Sequence, residues 1–205
     1  MSGDHHGSHH AEHSHASLRV RALESLLVEK QLMTSDQVDK ITNRFVSDIG
    51  PRNGARIVAR AWTDPEYKQR LLADGTAAIA ELGFGGNLLS VAENTATVHN
   101  LIVCTLCSCY PWSILGLPPV WYKSTPYRSR AVIDPRGILK EFGTHVAEDV
   151  EVRVWDSTAE LRYIVFPERP AGTERMSEDQ LAALVTRDAM VGVAKVTLPE
   201  SGGKS

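Results

Sequence analysis

All three cysteines of the chain fall within one short run, Cys104-Thr105-Leu106-Cys107-Ser108-Cys109. A disulfide framework disperses an even number of cysteines, whereas thiols gathered this closely serve redox chemistry or a metal. The spacing can be read as a ligand set. If Cys107 and Cys109 bind one ion through sulfur, the backbone nitrogens of Ser108 and Cys109 lie between them and, once deprotonated, bind it too. Cys109 sulfur and its own nitrogen close a five-membered chelate ring, and the two nitrogens close another. Cys107 sulfur with the Ser108 nitrogen closes a six-membered ring, which completes a planar claw of two nitrogens and two sulfurs. Cys104 can then approach from above the plane as an apical thiolate, leaving a sixth octahedral position for water or substrate. An open position separates a catalytic metal site from a structural one. Anionic amide nitrogens are strong-field donors, so they suit a low-spin trivalent ion, Co(III) or Fe(III), better than zinc, which has no ligand-field preference.

Other uses of the same residues weigh against this one. A disulfide between Cys107 and Cys109 would close a very tight loop and leave a thiol over. A Cys-x-x-Cys redox pair lacks a thioredoxin-like βαβ context. Structural zinc, with His99 or His145 as a distant fourth ligand, stands level with the trivalent ion on spacing alone. Around the cluster, the hydroxyls of Thr105 and Tyr110 either brace one another and the sulfurs or simply pack the loop. Trp112 serves as a pocket wall or as an apolar anchor beside Pro111. Asp156 and Arg162, expected on neighbouring strands, either pair as a support for the site or, the better reading, form an ordinary cross-strand ion pair.

The elements that must position these residues follow from periodicity. Residues 1–16 carry six of the eight histidines, with almost nothing apolar to bury, and are expected to be a disordered tail whose imidazoles fix no geometry. Ser17 is expected to cap a helix striped by Leu18, Leu23, Leu26 and Leu27, and Thr34 to Gln37 has capping-box spacing ahead of Val38, Ile41, Phe45 and Ile49. Residues 17–75 therefore read as an N-terminal helical arm, completed by helices at Ala55 to Trp62 and after Asp64-Pro65. The stripes of its first two helices need another surface to bury against, either another subunit or their own domain. Residues 76–205 read as a metal-binding globular catalytic domain. Leu88 to Glu93 and Thr97 to Cys104 are strands around an Asn94 turn, and the apolar Leu101-Ile102-Val103 delivers the cysteines from a buried strand end. Helices are expected at Pro126 to Ile133, Pro135 to Phe142 and after Ser177, and strands at Val150 to Trp155, Leu161 to Phe166 and Val191 to Val196. The class is α+β, an N-terminal helical arm followed by a layered α/β/β/α globular domain.

The 205 residues suffice for one main domain. A net charge of -3 from 22 basic and 25 acidic residues spread over both halves argues against nucleic acid or an anionic membrane as partner. No signal-peptide pattern or bilayer-spanning apolar run is present in the sequence, so a cytoplasmic protein is expected.

The string VCTLCSCYPW with LGLPPVWYK, from Val103 to Lys123, closely resembles the metal-binding segment of the nitrile hydratase alpha subunit. The resemblance extends through ARAWTDPEYKQRLLADGT (Ala59 to Thr76), YRSRAV (Tyr127 to Val132), EVRVWDSTAELRYIV (Glu151 to Val165) and LVTRDAMVGV (Leu184 to Val193). It implies a lyase that hydrates nitriles to amides. The cobalt branch of the family carries Thr between the first two cysteines and Tyr after the third, here Thr105 and Tyr110, which implies one non-corrin Co(III) per alpha subunit. The resemblance also implies ligands from Cys104, Cys107, Ser108 and Cys109, with Cys107 matured to a sulfinic acid and Cys109 to a sulfenic acid. Ser108, Cys109, Thr105 and Tyr110 would then act in or around the chemistry, and Trp112 in the substrate pocket. The implied partners are a beta subunit contributing two arginines, in a heterotetramer of two alpha and two beta chains, and a cobalt-loading activator protein. The chain departs from the family pattern at Ser113, where a second proline is common, and at Arg175-Met176, where glycine and tryptophan are common. Two rivals remain: a thiocyanate hydrolase gamma-type subunit, in which an arginine tends to replace Trp112, and a non-catalytic zinc-binding subunit.

Overall fold

Short polar side chains and prolines set most helix boundaries of this protein. In a computed structural model that describes residues 8–40, 50–86, 88–107 and 109–199, with side chains from residue 17, the chain forms two compact units, 1–44 and 45–205. In the first unit, α1 spans Ser8–Glu29 and residues 35–40 are helical. Helix α1 thus starts before Ser17, in a stretch that contains neither proline nor glycine to stop it. Ile41, Phe45 and Ile49, expected to continue the second stripe, lie outside the described residues, as do the side chains of the tail histidines. Thr34 and Gln37 bond reciprocally through side chain and backbone, the capping box expected there.

The second unit opens with α2 (Pro51–Thr63), α3 (Pro65–Ala73) and α4 (Gly75–Ala80). Asp64 accepts from the Tyr67 amide and Asp74 from the Ala77 amide, so each carboxylate satisfies a donor that the helix start leaves open. Strand β1 (Leu88–Glu93) and β2 (Val98–Val103) come next, then α5 (Trp112–Leu115), α6 (Val120–Lys123), α7 (Thr125–Ile133) and α8 (Pro135–Glu141). Strands β3 (Glu151–Asp156) and β4 (Leu161–Phe166) precede α9 (Glu178–Leu184) and α10 (Arg187–Val191).

The strands form two parallel pairs, β1 with β4 and β2 with β3, with Leu89 opposite Arg162 and Val103 opposite Asp156. Strand β2 also contacts β1 and β4, which joins the pairs into one core. Its residues Leu101, Ile102 and Val103, and Cys104 just after them, are buried among Ile57, Val58, Tyr67, Leu139, Ile164 and Met190 from the surrounding helices and β4. A strand buried on both faces reads as a continuous apolar run rather than an alternation.

Two expectations fail here. The segment Val191 to Val196 is not a strand: Thr186 caps α10 through the Ala189 amide, and the helix ends at Gly192 with φ of +93°. Asp156 and Arg162 do not form an ion pair among the described residues, because β3 and β4 belong to different strand pairs.

Candidate metal centre

Strand β2 ends in the core at Val103, and its carbonyl accepts from the Ser157 amide, so the chain leaves the strand at a fixed point. Cys104 is fully buried there, Cys107 is exposed at the turn, and Cys109 is buried where the chain re-enters the core. Cys107 Sγ lies 3.5 Å from Cys104 Sγ and 3.0 Å from Cys109 Sγ. All three sulfurs lie within 4.8 Å of one another, and no histidine or carboxylate joins the group among the described residues. Ser108 lies outside those residues.

The loop is held from several sides. Asp156, at the end of β3, accepts from the Thr105 amide at 2.9 Å and from the Thr105 hydroxyl at 2.5 Å. Arg128 of α7 donates to the Cys107 carbonyl at 3.2 Å, and Tyr122 of α6 donates to the Cys109 carbonyl at 3.0 Å. Tyr127 donates to the Ile102 carbonyl at 2.6 Å, which ties α7 to the strand that carries Cys104. Tyr110 packs edge-on to Tyr122 with centroids 5.0 Å apart, and its hydroxyl has no hydrogen-bond partner among the described residues. Thr105 and Tyr110 therefore do not brace one another: the threonine is committed to Asp156. Burial holds the phenols of Tyr110, Tyr122 and Tyr127 well above their ordinary range, so they stay protonated hydrogen-bonding groups.

Burial above all, then hydrogen bonding to Cys107 and Cys104, pushes the Cys109 thiol up to about 12, against the downward pull of Arg162. A buried thiol that resists ionisation is a poor free nucleophile. Three crowded sulfurs are a natural cradle for a cation that can displace their protons. The donor set fits a thiophilic metal, and zinc completed by His99 loses its support. His99 is buried, its Nε2 donates to the Gly192 carbonyl at 2.7 Å, and Nδ1 faces the Asn94 amide.

A cavity of about 350 Å³ opens beside the cluster, lined by Cys107, Cys109, Tyr110, Trp112, Ser113 and Arg162 among others. Arg162 is the residue whose place here was least visible in the sequence. Its Nε and Nη1 are buried without a hydrogen-bond partner among the described residues. The sequence placed it only in a strand over Leu161 to Phe166; the structure sets it opposite Leu89, which also lines the cavity.

A three-sulfur cradle at the end of a buried parallel strand, open to a cavity, defines a candidate metalloenzyme subunit. The family model for the nitrile hydratase alpha chain matches residues 14–194. The alpha subunit of the low-molecular-weight cobalt-containing nitrile hydratase of Rhodococcus rhodochrous is 58% identical over 184 residues, covering 88% of this chain and 89% of that one. The solved structure of a double mutant of the Fe-type nitrile hydratase from Comamonas testosteroni Ni1 superimposes with a TM-score of 0.81 at 42% identity, covering 93% of this chain and 97% of that one. Thiocyanate hydrolase subunit gamma of Thiobacillus thioparus is 43% identical over 187 residues, covering 84% of this chain and 76% of that one. The chain belongs to the nitrile hydratase alpha-chain family, an enzyme class that hydrates nitriles, and an alpha subunit implies a partner beta subunit. Among the described residues no helix is long and apolar enough to cross a membrane.

Proposed function

We propose that this chain is the metal-bearing half of a cobalt-type nitrile hydratase that adds water across a nitrile to give the amide. The observation that carries the reading is the three-sulfur cradle facing the cavity. The ligands are Cys104, Cys107 and Cys109 through sulfur and Ser108 and Cys109 through backbone nitrogen, with Cys107 as the sulfinic and Cys109 as the sulfenic acid. Cobalt rather than iron is supported by Thr105 and Tyr110 and by the 58% identity to a cobalt-containing relative, although the Fe-type fold is closely similar.

A low-spin Co(III) in this cradle would supply Lewis acidity toward the nitrile. The remaining work falls to the chain. Trp112 and its apolar neighbours exclude bulk water and seat the substrate's carbon skeleton. Arg162 presents buried donors where negative charge sits on oxygen. Arg128, Tyr122 and Asp156 hold the loop so that the sulfurs keep their places as water adds to the nitrile carbon and a proton reaches the nitrogen. The assembly is a cytoplasmic heterotetramer of two alpha and two beta subunits, and an activator protein loads the cobalt.

Metal analysis with intact mass of the cluster peptide tests this reading. Cobalt and three added oxygens across Cys107 and Cys109 are expected. Zinc with unmodified thiols, and no charge-transfer absorption, would sink it in favour of a non-catalytic zinc subunit. Turnover of thiocyanate but not of nitriles would move the chain to the gamma-subunit reading, which the 43% identity keeps in view.

A further inference from the structure

We infer that the Ser113 hydroxyl is a specificity-determining contact, favouring nitriles whose carbon chain carries a hydrogen-bonding group away from the cyano end. The inference rests on the nitrile reading above. Most of the cavity wall away from the sulfurs is apolar, built by Ile79, Leu89, Ile114 and Trp112, and Ser113 sits among them. Its backbone is fixed: the Ser113 carbonyl accepts from the side-chain amide of the buried Asn53 at 3.0 Å. Its hydroxyl has no hydrogen-bond partner among the described residues.

The direction of that hydroxyl can be read from Gly86, which lines the same cavity. A Cβ built on Gly86 would meet Ser113 Oγ first, at 3.3 Å, and the φ of +148° keeps a side chain from that position in any case. Ser113 Oγ therefore points to the side of Gly86 where no side chain stands, within the cavity that both residues line. A hydroxyl both donates and accepts, so it can pair with an alcohol, an amide or a ring nitrogen on the substrate. A site that offers a half-buried polar group discriminates against the analogue that cannot pair with it, more sharply than an apolar wall discriminates by shape.

The test uses the cobalt-loaded complex with its beta subunit and two nitriles of matched size, 3-hydroxypropionitrile and butyronitrile. Ser113→Ala is expected to lower the ratio of kcat/KM for the hydroxylated over the apolar nitrile by about three- to tenfold, the range of one net hydrogen bond. An unchanged ratio, whatever happens to the individual rates, overturns the inference and makes Ser113 a packing residue. A cobalt-loaded wild-type complex that hydrates neither nitrile overturns the nitrile reading itself, and this inference with it.

Discussion

Arg162 and Asp156 show what single side chains contribute to the centre. A guanidinium with two buried nitrogens lacking partners among the described residues is costly unless something with spare lone pairs comes to it. The cavity beside Cys109 is where such oxygens would gather, on oxidised sulfur or on the substrate. Arg162→Gln is accordingly expected to lower kcat/KM by roughly ten- to a hundredfold, as loss of a charge-assisted hydrogen bond does. Cobalt content measured alongside should stay near that of the wild type; a parallel loss of metal would make the residue structural. Asp156 acts earlier, on the loop itself, by accepting from both the amide and the hydroxyl of Thr105. Asp156→Ala should lower retained cobalt per chain several-fold in a chelator challenge, and unchanged retention would count against a positioning role. The gathering of the three cysteine sulfurs was legible in sequence because residues two and three apart in one loop stay close in space. Asp156 and Arg162 were misread because partnership depends on which strands pair, and a short parallel pair leaves no local mark of its partner.

At the scale of elements, the end of α10 and the middle of β2 are latched together just upstream of the cysteines. The Gly192 carbonyl accepts from the His99 ring, and a Cβ at Gly192 would overlap the Asn100 carbonyl. With φ of +93° there as well, Gly192→Ala should cost more than about 2 kcal/mol in urea unfolding, from strain and overlap together. Burial, foremost, holds His99 below its ordinary value of 6.5, while its bond to Gly192 opposes the shift. The unfolded chain therefore takes up this proton first on acidification. Stability from the neutral ring is present above about pH 6.5 and is lost as pH falls toward the lowered native value. The urea midpoint should drop between about pH 7.5 and about pH 5.5, and His99→Gln should flatten that drop relative to the wild type. Equal slopes in the two proteins would show that other groups govern it. Helix caps were legible because Asp64, Ser177 and Thr34 act on amides three residues away. The strand expected from Val191 onward failed because Val191 ends a helix capped by Thr186 and closed by Gly192, and that helix contacts β2.

The whole molecule leaves apolar surface that neither compact unit buries within itself. In the first unit Leu18 is 63% exposed and Leu23 is 60% exposed, with Leu26 also open. In the second, Leu106 beside the cysteines is 85% exposed, and Ile133 and Trp112 are open too. An alpha subunit implies a partner beta subunit, and apolar side chains exposed on α1 and beside the cysteines are available to it. The core of the second unit draws its buried residues from Ala55 onward, and no leucine of α1 is among them. Replacing Leu18, Leu23 and Leu26 together by serine in the full chain is therefore expected to leave the thermal midpoint of the isolated subunit within a few degrees, as roughly neutral surface changes do. Affinity for the beta subunit should fall at least about tenfold, since apolar anchors dominate such interfaces. Sedimentation of the mixed subunits reads the affinity, and calorimetry of the isolated chain reads the midpoint. Full retention of the complex would place its anchors elsewhere, on the apolar surface around Leu106 and Ile133, whereas a collapsed midpoint would show the stripe to be part of the fold.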